Sequence, residues 1–515
     1  MRRGVFTSLL LLALLATSCQ SGNDGRDLTS VLDVQQDVQQ DAIEDADTGL
    51  PAPKPPFASP EWITDRQGRV LILRGVNVIM GAKSYPDGLA HFSPEDARRI
   101  ARDAGFDFVR LPMLWEALEP RAGEIQAAYL DAIAARVDML WAEGIRVMLD
   151  MHQDVFARRF CCDGAPEWAI RDDGLAFEMQ SQWFLNYFQP AVMRAFDNFW
   201  DFNGPNKDVQ AHFVNAWAAV AARFKDHPGV IGYDIFNEPH PGSDVDVGEL
   251  LGMPDPASTH VVFDQQKLTP FYQRAIDAIR VVDPDHWIFV EPRYGAPGNG
   301  MPSHLGRLLD PRTGPARIVY SPHLYSLDVE QNAAYDRVSD TCIPDFERER
   351  LVEITRQPMP VVLGEWGLAL NAAQSLDFVT DVMAMADRLR AGFAYWPYDA
   401  GDWSPWNDDR TPRPALGVIT RPYPRAVAGV PTAFSYDTGT RVFRLQFEDR
   451  DEVTGPTEIA LVALRHYPTG WTVTTSDAVG TWTSSFDADR QILAVVTPRT
   501  GGAHTIEIHP SEVAQ

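Results

Sequence analysis

Two glutamates stand in sequence contexts that suit acid–base and nucleophilic chemistry. Glu238 follows Asn237 and precedes a proline, and Glu365 lies in a Gly-Glu-Trp-Gly run. Retaining glycosidases need two carboxylic acids about 5–5.5 Å apart, because one attacks the anomeric carbon and the other protonates the leaving oxygen and later activates water. Either glutamate alone would be read as a surface or ion-paired side chain. Together they predict glycoside cleavage, with Glu238 as acid/base and Glu365 as nucleophile.

The elements that must position these glutamates alternate between short β-branched or aromatic runs and longer helical stretches. The runs between residues 60 and 420 predict eight strands: 70–77, 108–112, 145–151, 230–236, 286–290, 317–320, 361–363 and 393–396. Eight strands alternating with helices predict an α/β fold of the (β/α)8 TIM barrel type, whose active site lies at the carboxyl ends of the strands. Glu238 and Glu365 follow the fourth and seventh strands, so both are expected at one mouth. A doubly wound sheet is the alternative, but no glycine-rich phosphate loop follows the first strand.

The rest of the chain predicts three further segments. Residues 1–19 have a basic start, a short apolar run and small residues before Cys19, which predicts a lipoprotein signal peptide with a lipidated Cys19. An ordinary signal peptide with a chance cysteine is the alternative. Residues 20–56 are acidic and proline-rich, typical of a disordered tether. The catalytic barrel would then span 57–421, and short alternating strands in 422–515 predict a small C-terminal antiparallel β-sandwich.

Composition narrows the classes of partner. There are 45 lysines and arginines against 71 aspartates and glutamates, a formal net charge of -26. This charge should repel nucleic acid and anionic membrane surfaces, so no nucleic-acid partner is expected. We expect a monomer, exported as a bacterial cell-envelope lipoprotein or secreted, that meets the lipid membrane through its N-terminal anchor. Chemistry by two carboxylates requires no metal and no organic cofactor.

Cysteines are few. If Cys19 is lipidated, three remain, which allows one intrachain disulfide. The expected bridge joins Cys342 to Cys161 or Cys162, with the choice left open. Metal binding is less expected, because the cysteines lack the paired spacing of a metal site.

Several motifs resemble glycoside hydrolase family 5 of clan A over about residues 65–400. The matching runs are Arg74-Gly75-Val76-Asn77, Asn237-Glu238-Pro239, His323-Leu324-Tyr325, Gly364-Glu365-Trp366-Gly367 and Trp396. Within that family the chain looks most like the endoglycoceramidases, on Lys83, on the Asp-Met-His-Gln-Asp run that contains His152 and Asp154, and on Pro241-Gly242. The resemblance implies hydrolysis of the β-glycosidic bond between an oligosaccharide and ceramide, so the expected partner is a glycosphingolipid.

The resemblance also implies a role for each matching residue beside the two glutamates. Asn237 would contact the sugar 2-hydroxyl, and the sugar next to the scissile bond would be held by Lys83, His152 and Asp154. Tyr325 would orient the nucleophile, with His323 beside it, and Arg110 would hydrogen-bond the nucleophile. Trp396 would be a platform on which the sugar stacks. Trp396 could instead fill the core, and Arg110 could form a buried ion pair. The pKa of Glu238 is expected to be raised by the negative charge of Glu365.

A lipid leaving group would need an apolar wall at the mouth. The candidates are residues 182–188 with Phe196, Phe199, Trp200, Leu368 and Leu370, although their helical spacing also suits ordinary packing. Two rival readings remain. One is a family 5 endo-β-1,4-glucanase or mannanase with a long open cleft, and the other is a non-catalytic surface lipoprotein that binds glycan or lipid.

Overall fold

The computed structural model of the chain describes residues 62–250, 252–253 and 257–511. The chain divides into a unit of Met1–Ala58 and a unit of Ser59–Gln515, and all of these residues belong to the second. The predicted signal peptide (1–19), Cys19 and the tether (20–56) lie outside the described residues. Within the described part of the chain, no helix combines the length and the apolar character that crossing a bilayer requires.

Eight parallel strands form the barrel. After a two-residue strand β1 (Val70–Leu71) come the barrel strands β2 (Arg74–Asn77), β3 (Phe108–Leu114), β4 (Arg146–His152), β5 (Val230–Asp234), β6 (Trp287–Val290), β7 (Ile318–Tyr320), β8 (Val362–Trp366) and β9 (Gly392–Tyr395). Their order is β7-β6-β5-β4-β3-β2-β9-β8, and parallel bridges from Tyr320 to Val361 and from Leu324 to Trp366 close β7 onto β8. This confirms the predicted (β/α)8 barrel.

The predicted first strand, 70–77, is in fact two strands in different sheets. Strand β1 pairs antiparallel with a strand of the C-terminal domain, whereas β2 pairs in parallel with β3 and β9. The run from Val70 to Leu73 is uniformly apolar and buried. Hydrophobic pattern alone therefore could not show where the chain leaves one sheet for the other.

Helices surround the barrel and connect its strands. Their bounds are Pro94–Arg98, Trp115–Leu118, Ala127–Ala142, Pro190–Trp200, Lys207–Phe224, Val247–Leu250, Thr259–Phe263, Thr269–Val282, Leu327–Asn332, Cys342–Arg356, Ser375–Leu389 and Pro414–Ile419. The first begins at a capping box in which Ser93 and Asp96 each satisfy the other's backbone N–H. The helix Ala127–Ala142 ends shortly before Gly144, whose φ of 78° favours glycine.

The C-terminal residues form two antiparallel sheets, as predicted. The remaining strands are β10 (Tyr423–Val427), β11 (Gly429–Tyr436), β12 (Phe443–Asp449), β13 (Thr457–Ala460), β14 (Trp471–Thr475), β15 (Thr483–Asp487), β16 (Ile492–Val496) and β17 (Ala503–Pro510), with a short helix at Ala463–His466. One sheet has the order β1-β10-β13-β16-β15 and the other β11-β12-β17-β14. Their facing side chains, including Tyr423, Phe443 and Ile506, share one buried core.

Candidate active site

The two glutamates meet at the carboxyl-terminal mouth of the barrel. Glu365 lies within β8, and Glu238 comes four residues after β5. One carboxylate oxygen of each, together with a ring nitrogen of His323, lie within 4.8 Å of one another. This close approach suits direct attack by one carboxylate on a sugar held between them, as in retaining glycosidases.

Both oxygens of the Glu365 carboxylate are held by hydrogen bonds. The Arg110 guanidinium donates to Oε1 at 2.6 Å, and the Tyr325 hydroxyl donates to Oε2 at 2.8 Å. Burial and the charge of Glu365 raise the pKa of Tyr325 well above its ordinary value, so the phenol keeps its proton and remains a donor. Gly364 is needed beside it, because a Cβ there would lie 2.8 Å from the Ser321 hydroxyl and 2.9 Å from His323.

Arg110 is the cationic centre beneath the mouth. Its fully buried guanidinium lies 2.6 Å from Glu365, 2.8 Å from Asp234, and 3.0 Å from both Glu291 and Asp150. Burial alone would lower the pKa of Arg110, but these carboxylates raise it well above the ordinary value. The predicted contact with the nucleophile is present, and the buried ion pair considered as its alternative is present as well.

Glu238 is positioned by its backbone and by His323. Its N–H donates to Glu291 Oε2 at 2.8 Å, and its φ of 45° is left-handed. His323 Nδ1 lies 3.0 Å from the Glu238 carboxylate, and Nε2 lies 3.1 Å from Glu291. Burial is the largest cause of the raised pKa of Glu238, and the charge of Glu365 adds to it while His323 opposes it. The pKa of Glu238 is therefore shifted upward, as expected, but desolvation contributes more to the shift than the charge of Glu365 does.

The residues expected to hold the sugar form one wall of the site. Lys83 is ion-paired with Asp154, and its ammonium lies 4.9 Å from the centre of the Trp396 ring. The His152 ring is stacked on Trp396, with ring centres 5.9 Å apart and planes 8° apart. His152 Nδ1 also lies 2.6 Å from Asp150, and its neighbouring carboxylates raise the pKa of His152 to about 10 despite burial.

Asn237 is tied into the same network. Its side-chain oxygen accepts from Arg110 at 2.8 Å, and its amide nitrogen donates to the backbone oxygen of Gln153 at 3.0 Å. The Gln153 amide donates in turn to the backbone oxygens of Asn237 and Glu238, at 2.9 and 3.1 Å. Sequence reasoning missed Gln153, although it lies between His152 and Asp154 in the motif that pointed to the sugar site.

The disulfide prediction is wrong. Cys161 is bonded to Cys162, and Cys342 is free and buried. Cys342 begins the helix after β7, whereas the adjacent pair lies in a turn that a backbone bridge between Asp154 and Asp163 closes. The observed bond therefore lies entirely within the loop after β4 and leaves Cys342 as a thiol.

Asp163 is a second residue that sequence reasoning missed. It is fully buried, and neither of its carboxylate oxygens has a hydrogen-bond partner in the described part of the chain. A ligand atom of Asp163 lies within 4.8 Å of those of His152 and Asp154. Burial and the charge of Asp154 raise the pKa of Asp163 to about 7, although Lys83 opposes the shift.

Most of the proposed apolar wall is barrel packing. Phe196, Phe199, Trp200 and Leu368 are buried in the main hydrophobic core. Within residues 182–188, Tyr187 is buried while Trp183 and Phe184 are exposed. The helical spacing of Phe196, Phe199 and Trp200 therefore reflects their packing in the core.

A (β/α)8 barrel that presents two carboxylates this close at its mouth is the architecture of a retaining glycoside hydrolase. The family model described as Cellulase (glycosyl hydrolase family 5) matches residues 71–402, and that described as Glycoside hydrolase family 5 C-terminal domain matches 421–508. The chain belongs to glycoside hydrolase family 5.

Proteins similar to this chain within the family include endoglycoceramidases. The chain is 32% identical to Endoglycoceramidase I of Rhodococcus hoagii over 423 residues, which is 80% of each protein. The structure of Endo-glycoceramidase II from Rhodococcus sp. superposes with a TM-score of 0.79 and 36% identity, over 88% of this chain and 100% of that one. An endogalactoceramidase structure superposes with a TM-score of 0.61 and 25% identity, over 89% of this chain and 99% of that one.

Proposed function

We propose that the protein is an endoglycoceramidase, which hydrolyses the β-glycosidic bond between the oligosaccharide and the ceramide of a glycosphingolipid with retention of configuration. The observation that carries the mechanism is the pair of carboxylates within 4.8 Å, one held by two donors and the other with a raised pKa. The choice of ceramide is supported by the names of the relatives, which match over most of the chain.

In the first step, a Glu365 oxygen attacks the anomeric carbon while the C–O bond to ceramide breaks. Glu238 gives its proton to the departing ceramide oxygen, which leaves as a neutral alcohol. The product is a covalent glycosyl ester on Glu365 and an ionised Glu238. The raised pKa of Glu238 suits this task, because it keeps the acid protonated to higher pH than an exposed glutamate.

In the second step, water attacks the same carbon from the face that ceramide has vacated. Ionised Glu238 takes a proton from that water, the ester bond to Glu365 breaks, and the oligosaccharide leaves with its β configuration. Arg110 and Tyr325 hold the released carboxylate for the next turnover.

The sugar next to the scissile bond rests against Trp396 and is gripped by Lys83, His152 and Asp154. A flat aromatic face suits the C–H surface of a sugar, and the charged groups suit its hydroxyls. Asn237 uses one amide hydrogen on Gln153 and keeps the second for the 2-hydroxyl.

A substrate panel tests the assignment. Glucosyl-, galactosyl- and lactosylceramide and a ganglioside should each be compared with soluble cellulose and mannan, with products identified by mass. An intact oligosaccharide together with ceramide is the expected result. If the protein released sugar only from cellulose or mannan, it would be a glucanase or mannanase and the proposal would be wrong. If it cleaved no β-glycoside at all, a non-catalytic glycan- or lipid-binding protein would be the remaining interpretation.

Azide separates the roles of the two glutamates. With Glu238→Ala, azide should restore turnover of an activated aryl β-glycoside and give the β-glycosyl azide, because the covalent intermediate still forms on Glu365. With Glu365→Ala, azide should give the α-glycosyl azide. Glu124→Ala, which removes an exposed glutamate paired with Arg121, is the matched control and should behave as the wild type. The opposite pattern of azides would exchange the assignments.

We further propose that the protein is exported and anchored through a lipidated Cys19. The basic and apolar pattern of residues 1–19 supports this. Incorporation of a labelled fatty acid in the wild type but not in Cys19→Ser, with release of the variant from membranes, would be the supporting result. Equal labelling of both would reject it.

A further inference from the structure

Three apolar side chains form an exposed patch in the long excursion between β4 and β5. Met179, Trp183 and Phe184 are 58%, 50% and 39% exposed. Isolated exposed apolar residues are ordinary, but a contiguous group on an otherwise charged protein marks an interaction surface. We refer to these three residues as the apolar patch.

The patch is held together by Asn186. The Asn186 amide lies 3.5 Å from the Met179 sulfur, and its oxygen accepts from the Gln180 backbone at 2.9 Å. Trp183 and Phe184 stand in the same 3₁₀ helix as Asn186, with ring centres 6.3 Å apart and nearly perpendicular. The exposed residues are therefore fixed beside one another by a buried polar side chain.

The patch is joined to the acid/base side of the active site. Tyr187 lies one turn after Trp183, with ring centres 6.3 Å apart, and stacks on His240 at 4.8 Å with planes 8° apart. His240 is two residues after Glu238 in the chain. The patch is therefore linked through two buried rings to the segment that carries Glu238, the residue that protonates the leaving group.

Charge determines which kind of surface could bind there. With a net charge of -26, the protein gains nothing from an anionic surface and must bind through apolar contact. Aromatic side chains such as tryptophan favour the boundary between lipid headgroups and acyl chains. A neutral phospholipid bilayer fits both conditions.

We propose that the apolar patch inserts into the headgroup boundary of the bilayer that carries the substrate, and so directs the leaving-group side of the mouth toward the membrane. The proposal rests on the proposed function for the identity of the substrate, but bilayer binding itself can be measured without turnover.

The test uses the double variant Trp183→Ser/Phe184→Ser. Trp141→Ser is the matched control, because Trp141 is 37% exposed but lies at the end of the helix that precedes β4, at the opposite end of the barrel. Every protein also carries Cys19→Ser, so that the proposed lipid anchor cannot bind the vesicles, and the protein with no other change is the wild type of this comparison. Each protein is floated with vesicles of phosphatidylcholine alone, and assayed on lactosylceramide in such vesicles and on a soluble aryl β-lactoside.

The wild type and Trp141→Ser should float with the vesicles, and the double variant should not. Because burying even one large apolar side chain is worth more than a factor of ten, the double variant should lose at least about tenfold in turnover of vesicle lactosylceramide. Its turnover of the aryl lactoside should stay within about twofold of wild type, since the patch lies outside the sugar wall.

Three results would overturn the proposal. They are flotation of the double variant equal to wild type, an equal loss on both substrates, or an equal loss of flotation in Trp141→Ser. If the wild type floats but cleaves neither substrate, the bilayer proposal stands and the proposed function fails.

Discussion

The hydrogen bond from Tyr325 to the nucleophile gives a sharp test of how the site works. The hydroxyl donates to Glu365 Oε2 at 2.8 Å, while Arg110 holds the other oxygen at 2.6 Å. Tyr325→Phe removes the hydroxyl alone and keeps the ring that lies 6.0 Å from Trp403. The variant therefore frees one carboxylate oxygen without emptying the pocket.

A hydrogen bond to a charged group contributes about 1.5–3 kcal/mol. At about 1.4 kcal/mol per factor of ten, the loss in kcat/KM should be roughly 10- to 150-fold. The loss should fall on kcat/KM, because the freed carboxylate must be brought back into line before it attacks the anomeric carbon. The melting temperature should change little, since the hydroxyl contacts the site and not the packed core.

Tyr395→Phe is the matched control. Its hydroxyl donates to the backbone oxygen of Trp403 at 2.9 Å, whereas the Glu365 carboxylate is hydrogen-bonded by Arg110 and Tyr325. Steady-state kinetics on a soluble aryl β-glycoside, with thermal melting of both variants, gives the comparison. A Tyr325→Phe enzyme with wild-type kcat/KM, or one whose loss is matched by Tyr395→Phe, would refute the view that this phenol positions the nucleophile.

Three further predictions concern the acid, the sugar wall and the disulfide. Because Glu238 must be protonated and its pKa is raised, kcat/KM should fall on the alkaline side as pH passes that pKa, and Glu238→Gln should lose this limb in a pH profile. Lys83→Met should raise KM by about tenfold or more, as expected for one lost charge-assisted contact, and should change kcat less. An unchanged KM would show that Lys83 does not contact the sugar. Reduction of the Cys161–Cys162 bond by a dithiol, verified by alkylation and mass, should raise KM because that turn borders Asp154, and a Cys161→Ala/Cys162→Ala enzyme should not respond to the dithiol.

The fold could be predicted because its strands carry a strong local signal. The eight barrel strands are short apolar runs separated by helices, and most observed bounds fall within two residues of those predicted. The failures come from contacts between distant segments. The run from Val70 to Leu73 could not predict that β1 pairs with a strand more than 350 residues later, because a local hydrophobic pattern carries no information on which strand will be the partner.

The site was predictable where a residue occupies a recognisable motif. The sequence analysis gave no role to Asp150, although that residue begins the motif with His152, and it did not identify Asp234 and Glu291, which also contact Arg110. It did not identify Asp163 either, which has no hydrogen-bond partner in the described residues. One signal was available for the first three. Each is a carboxylate within or directly after a barrel strand, where an ionisable side chain must be paired or functional. Asp163 lies in a loop, and only its burial distinguishes it.

The charges beneath the mouth explain why so many ionisable groups can be buried together. The cluster contains four carboxyl groups and three basic groups: Asp150, Asp234, Glu291 and Glu365, with Arg110, His152 and His323. Burial and the nearby carboxylates raise the pKa of Asp234 well above its ordinary value, while Arg110 opposes the shift. The acidic partners raise the pKa of both histidines, so each carries a positive charge that burial alone would oppose. Each of the three basic groups contacts at least one carboxyl group: Arg110 contacts Glu365, His152 contacts Asp150, and His323 contacts Glu291. Glu365 therefore takes its donor from a guanidinium that three other carboxyl groups also contact, and the cost of burying each charge is offset by a paired group of opposite sign.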